Sequence, residues 1–546
     1  MKRRILFAVL LSFIAVLSWS QEKKVLDFSG SSRFEARISS QKNTPYEAPK
    51  DYMRWGANAV VKAWGLPLKA SWLISTENEP YNQSVNQVRI SIDYQEFLKS
   101  KIIEKAPWLK FIRRLDIGKI YPSYSRLGFS GIPLEGINVE LAPGPVYIAY
   151  AYGRVRRPIY EDGYPSVPYS RRISYYRAGM GDRHSSHIHF AYMKAWDQDV
   201  ELPDSLRWEA PAANSVLSAD LAAYFLKRKI YIKAEGAVSL FTENTQATAY
   251  TEDELPRFVV DRFNPNLTSS LDYAYEMETG INLKKTRIKG FYRLINPGFR
   301  SLGIGVLRND ISEYGLQVSQ YVYKRYISLN AKIKHDLDNL IGTKSYRSSS
   351  WHYGFGINIR IPEYPWLMLD YSPHEQYRET PLSTQAFIVR VMTSRAGYTF
   401  GNGSTKLLTS LGYTRQSTLS GTDEKELGRL SNIYSLTESA TFAGDWQTSL
   451  TLSWNRMAYG DDLRNLLSGS LNVRYNWKEG FNTFAGYQRF QSLGGDKRNR
   501  IQIGGGIDLS RWGEIRLTAG RYMGFDSDAD IRYSDNILQL SWLVNF

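Results

Sequence analysis

The feature that most restricts this chain is the zigzag of its final stretch, 536–546 (Asn-Ile-Leu-Gln-Leu-Ser-Trp-Leu-Val-Asn-Phe), which ends on an aromatic residue. Successive side chains on a strand point to opposite faces, so Leu538, Leu540, Trp542, Val544 and Phe546 share one face and Gln539, Ser541 and Asn545 the other. The pattern recurs upstream. Ile230, Ile232, Ala234, Val238 and Leu240 oppose Tyr231, Lys233, Glu235 and Ser239, and Ile327, Leu329, Ala331 and Ile333 oppose Ser328, Asn330, Lys332 and Lys334. Leu471, Val473, Tyr475 and Trp477 likewise oppose Ser470, Asn472, Arg474 and Asn476. No helical layer is available to cover so many apolar faces. A sheet closed on itself, apolar outward and polar inward, leaves no edge and needs no such layer.

Composition agrees. Among 546 residues there are 38 Tyr, 14 Trp and 41 Gly, while the hydrophobic fraction is an ordinary 43%. Outward and inward residues average out in a barrel, so the mean hydropathy of −0.39 is no objection. The absence of cysteine excludes disulfides, thiol catalysis and thiolate metal sites.

Met1 to Ser20 has the layout of a secretory signal: basic Lys2, Arg3 and Arg4, an apolar run from Ile5 to Leu17, then small Ser18 and Ser20. The run is shorter than the roughly 20 residues a membrane helix needs. Cleavage after Ser20 is expected, which lowers the formal charge from +15 to +12.

The terminal strand, with Trp542, Val544 and Phe546 on its apolar face, resembles the assembly signal of Gram-negative outer-membrane β-barrel proteins. The resemblance implies an all-β fold, a single large transmembrane antiparallel barrel over 21–546, located in the outer membrane. Its implied partners are outer-membrane lipid and lipopolysaccharide, the barrel assembly machinery and other envelope proteins. A second, local resemblance covers 121–131 (Tyr-Pro-Ser-Tyr-Ser-Arg-Leu-Gly-Phe-Ser-Gly) and 136–144 (Gly-Ile-Asn-Val-Glu-Leu-Ala-Pro-Gly), which look like segments of large outer-membrane proteins of Bacteroidetes-type bacteria.

Strands are expected from about Ser31 onward, with a hairpin from Met53–Trp64 and Leu66–Ser75. Short links such as Pro143-Gly144-Pro145 alternate with long polar ones such as 157–172, 242–267 and 297–314. Outer-membrane barrels have short periplasmic turns and long extracellular loops, and counting strands by that rule gives about 26, to within about four. One short periplasmic helix is expected over 93–106. Asp93 and Glu96 have capping-box spacing, Phe97, Leu98 and Ile102 recur at helical intervals, and Pro107 ends it. A barrel of this width needs closing, by inward-folded loops, by that helix or by a partner.

Lys233, Lys332, Lys334, Arg474 and Arg516 fall on inward faces and would favour anions, unless lumen carboxylates such as Glu235 and Asp508 neutralise them. His187 and His189 share a strand face at metal-ligand spacing, without an evident third ligand. Asp526, Asp528 and Asp530 match the first ligand positions of an EF-hand loop, but Ile531 replaces the Gly and Ile537 the bidentate Glu. No nucleophile elbow or triad is present, so no enzyme and no cofactor are expected, and an exported chain has no nucleic-acid partner. Three functions fit: a wide, gated or partner-closed pore for hydrophilic or anionic solutes, a barrel subunit of a secretion or outer-membrane assembly complex, or a surface adhesin presented on Tyr-rich loops.

Overall fold

The computed structural model describes residues 26–546 apart from 44–50, 64–65, 77–85, 93, 99–106, 162–163, 168, 199–209, 251–255, 402–404, 422–427, 443–444, 461, 478–479, 493–494 and 527–529. Twenty-six strands form one antiparallel sheet that closes on itself, as the alternation required. Two short strands, Ile159–Glu161 and Tyr164–Val167, make a separate hairpin within one connection.

The seam joins the first strand, Leu26–Lys42, to the last, Ile531–Asn545, in continuous register from Ser31 opposite Asn545 to Lys42 opposite Ser534. Outside, Phe34 lies opposite Trp542, which lies opposite Ile515, so the apolar row crosses the seam unbroken. Inside, Glu35 accepts hydrogen bonds from Gln539 (3.0 Å) and the Tyr52 hydroxyl (2.6 Å). Gly30 and Phe546 exchange both backbone bonds, at 2.7 and 3.0 Å, so the chain's last residue is tied into its first strand.

The expected hairpin is present as Asp51–Ala63 and Leu66–Ser75. The weakly alternating stretch near Phe481 is also a strand, Phe481–Ser492. Its irregularity has a cause: Phe484 turns inward, and its ring lies where a Cβ on Gly504 of the next strand would be, 2.6 Å away. Of the expected helix, the turn Tyr94–Phe97 is described, with Phe97 fully buried. Residues 99–106, like the signal over 1–20, lie outside the described residues.

The outer surface has the layers a bilayer requires. Tyr413, Tyr434 and Trp454 are cross-strand neighbours with ring centroids 5.1 and 5.4 Å apart, and nearer the other rim Trp446 packs on Tyr475 at 4.5 Å. Eight residues separate Trp446 from Trp454 on one strand, about 27 Å of chain and about 20 Å of height at a 40° tilt. Leu450 and Leu452 fill the interval. That height is close to the roughly 25 Å apolar band of outer-membrane barrels, whose borders are aromatic. Among the described residues no helix is long and apolar enough to cross a membrane.

Two long connections do not stay outside. The segment 121–133 and the segment 296–310 fold back into the barrel and pack against each other. Their side chains Leu127, Phe129 and Phe299 are almost completely buried, in one cluster with Ala149, Tyr175, Met193, Val216 and Ala274 from five strands. Only the concave side lets so short a segment touch strands so far apart. A patch of the inner wall, running across these five strands, is therefore apolar where a fully wet lumen would be polar, which corrects the expectation of polar residues on every inward face.

Candidate functional site

The turn at the centre of the inward segment 121–133 is clasped by a carboxylate. Glu235, on the strand Ile230–Thr242, accepts the Ser125 hydroxyl and the backbone N–H groups of Arg126 (3.1 Å) and Leu127 (3.0 Å). Successive N–H groups converging on an anion form the concave arrangement that binds carboxylates well. The Gly128 N–H closes the turn on Ser125 Oγ at 2.6 Å. Further along, Tyr124 stacks on Tyr175 (centroids 4.9 Å, planes 15° apart), and its hydroxyl donates to buried Asn138. Burial, with the Glu140 carboxylate nearby, pushes the Tyr124 phenol far up, so it stays a donor at any ordinary pH.

The second segment docks through Asn214 and Ser239. The Leu302 N–H donates to Asn214 Oδ1 at 3.0 Å, Asn214 Nδ2 donates to the Arg300 carbonyl at 3.2 Å, and the Ser239 hydroxyl donates to the same carbonyl. The segments then join: Ser301 Oγ donates to the Gly128 carbonyl (2.6 Å), and the Ser130 N–H donates to that of Gly303 (2.9 Å). Each of these backbone groups has a partner, so the inward fold satisfies its main chain while covering apolar wall.

Beside the first segment lies a chamber of about 680 Å³, bounded by wall residues from Arg177 to Lys334. Seven basic side chains line it against five carboxylates. Most are paired in a ladder along the wall. Lys289 meets Glu278 at 2.7 Å, Arg293 meets Glu276 at 3.0 Å and Glu313 at 3.3 Å, and Lys334 meets Glu313 at 2.9 Å. Arg126 reaches from the inward segment to Glu276 at 3.3 Å. The chamber thus presents dense charge of both signs with a small basic excess.

Each basic residue named from the sequence lies on the inner face, in two different settings. Lys233 sits over the Tyr231 ring at 5.1 Å, and Lys334 is engaged as described. Arg516 pairs with Glu514 at 2.7 Å. Lys332 and Arg474 are exposed. Trp542 and Val544 belong to the last strand, where Trp542 Nε1 donates to the Trp512 carbonyl at 2.8 Å.

His187 and His189 come together with a residue the sequence had not indicated. Asp220, on the adjacent strand, brings the three sets of donor atoms within 4.8 Å of one another. Their nitrogens are nevertheless committed. His187 faces the Ser185 carbonyl (2.8 Å) and Asp220 (2.9 Å). His189 faces the Gly181 carbonyl (2.9 Å) and the guanidinium of Arg177 (2.8 Å). Arg177 is itself buried, meets Asp220 at 2.7 Å and holds the Tyr124 carbonyl, so the cluster anchors the inward segment. Asp526 ends the strand Glu514–Asp526 and Asp530 precedes the last strand at φ 53°, while Asp528 lies outside the described residues.

A closed 26-stranded antiparallel barrel with an aromatic-bordered apolar belt and a charged interior defines the class, and such a barrel points to an outer membrane. No known family matches the chain, and no curated protein does. Similar solved structures include the outer membrane protein OpdK from Pseudomonas aeruginosa, at 10% identity over 62% of this chain and 94% of that one with a TM-score of 0.30. An anion-selective porin from Comamonas acidovorans matches at 12% identity over 50% of this chain and all of that one, TM-score 0.24. The P pilus usher (PapC) translocation pore matches at 10% identity over 95% and 99%, TM-score 0.28. Scores this low carry no argument, and the class rests on the sheet itself.

Proposed function

We propose that the chain is an outer-membrane channel for hydrophilic solutes, with a modest preference for anions, whose bore is narrowed on one side by its own inward-folded segments. The observation that carries this reading is the split inner wall. Part of the inner face of the strands from 112 to 311 is covered by a packed, hydrogen-bonded filling with a charged chamber beside it, whereas Asn472 and Arg474 in the later strands stay exposed on the inner face. A partly filled side and a wetted side leave a restricted aqueous path, and the small excess of bases in the chamber beside the filling, with exposed Lys332 and Arg474, biases the path toward anions. Export by the 1–20 signal and insertion through the strand bearing Trp542, Val544 and Phe546 complete the reading.

The test is single-channel recording of the purified mature chain in planar bilayers under a KCl gradient. Discrete conductance steps with a reversal potential on the chloride side are expected, and Lys332→Glu combined with Arg474→Glu should shift that potential toward potassium. A chain that inserts, shown by heat-modifiable migration, yet passes no current sinks the channel reading in favour of a subunit role in an envelope assembly.

A further inference from the structure

Two histidines outside the sequence-derived candidates meet on the inner wall. His352 on the strand Arg347–Ile359 and His374 on the strand Trp366–Glu379 are directly opposed in register. On its other side His352 opposes Lys334, which lines the chamber, and cross-strand partners share a face, so both imidazoles belong to the lumen side.

Their geometry differs from that of His187 and His189 in the point that matters for coordination. The Nδ1 atoms of His352 and His374 face each other at 2.7 Å, with ring centroids 4.0 Å apart. The other nitrogen of His352, Nε2, faces the Asp336 carboxylate at 3.4 to 3.5 Å, and Asp336 is only 5% exposed. A carboxylate that receives Nε2–H fixes the imidazole with its lone pair on Nδ1, the orientation outer-shell carboxylates impose on metal-binding histidines. In the metal-free form one Nδ1 carries a proton that the other accepts.

We infer that His352 and His374 form a two-imidazole site for a divalent transition metal of the zinc or copper class, open to the lumen and completed by water. Metal–nitrogen bonds of about 2.0–2.1 Å at a tetrahedral angle put the two nitrogens about 3.3–3.4 Å apart, so the rings need to part by only a few tenths of an ångström each. His352 already presents its lone pair, and His374 follows when its proton moves from Nδ1 to Nε2, with no net proton released. Nearby charge is balanced, Asp336, Asp338 and Glu313 against Lys334, Arg308 and Arg293, with Lys334 3.0 Å from Asp336 and Arg308 3.7 Å from it, so the imidazole donors alone define the site. Imidazole donors select against calcium and magnesium, which take oxygen ligands.

The experiment uses the full mature chain in detergent, without an affinity tag, titrated with Cu²⁺ and followed by calorimetry and electron paramagnetic resonance. One equivalent is expected, with hyperfine structure from two nitrogens. His352→Ala and His374→Gln should each abolish it, and His187→Ala should leave it intact. Asp336→Asn should weaken binding about 10- to 100-fold by freeing the His352 ring. Heat-modifiable migration of each variant shows that lost binding is not lost folding. Copper binding that survives both His352→Ala and His374→Gln, that disappears with His187→Ala, or that is no tighter than millimolar in the wild type overturns the site.

Discussion

Glu235 shows how much of the interior depends on one side chain. Its inward direction follows from alternation with Ala234 and Gly236, but its partners lie 108 to 110 residues earlier, in a segment of mixed aromatic, small and polar residues without a period of two. A period of two reports which face a residue takes, and is silent about what will come to lie on that face. Hydrogen bonds to a charged acceptor contribute about 1.5–3 kcal/mol each against about 0.5–1.5 for a neutral one. Glu235→Gln keeps the shape and loses the charge, so undocking of 121–133 should become easier by about 2 kcal/mol, roughly 30-fold in population. Arg126, whose side chain is 60% exposed, then becomes a trypsin site, and single-step conductance should rise. Equal cleavage after Arg126 in wild type and variant would show that the carboxylate is not the clasp. The histidines give the same lesson: His187 and His189 are noticeable because they are close in sequence, whereas His352 and His374, 22 residues apart, meet only through strand register.

At the level of elements, the strands were legible and the connections were not. Each strand carries its own signal, because lipid on one side and water or polar groups on the other impose alternation along its length. The long connection after Asn296 looks like any polar loop, since Gly298, Gly303 and Gly305 favour turns wherever they occur. What draws it inward is apolar wall left bare on distant strands, a property of the assembled barrel. Gly303 is the more closely packed of the two glycines at the contact: a Cβ there would sit 2.4 Å from the Gly128 carbonyl oxygen, whereas at Gly305 the nearest atoms are 3.3 Å away. Gly303→Ala must therefore push the segments apart by roughly half an ångström or more and break the Ser301 and Ser130 bonds. It should raise conductance and current noise in bilayer recordings without lowering the yield of heat-modifiable barrel, while Gly305→Ala changes the current far less. Equal effects of the two substitutions would mean that the segments do not brace each other.

Across the whole molecule, the proposed conduction and selectivity, like the inward segments, presuppose that the two ends of the chain meet. Their register makes that directly testable, because the natural sequence has no cysteine and an introduced pair has no competitor. Gly30 and Phe546 exchange both backbone bonds, so counting along the seam alternates bonded and non-bonded pairs and makes Arg37 with Gln539 a non-bonded pair. Such pairs bring Cα atoms to about 4.5 Å, inside the roughly 4.4–6.8 Å range a disulfide spans. Both residues lie on the inner face, where oxidant arriving through water can reach them. Arg37→Cys with Gln539→Cys should crosslink in folded protein and not in urea, giving a species that stays compact on boiling until a reductant is added. Conductance should be the same oxidised or reduced, since the bond adds nothing to a seam that is already closed. Combining Arg37→Cys instead with Leu540→Cys, one register step away and facing lipid, should yield little, and crosslinking there as efficient as at Gln539 would mean the strands slide, leaving the proposed channel without a fixed wall.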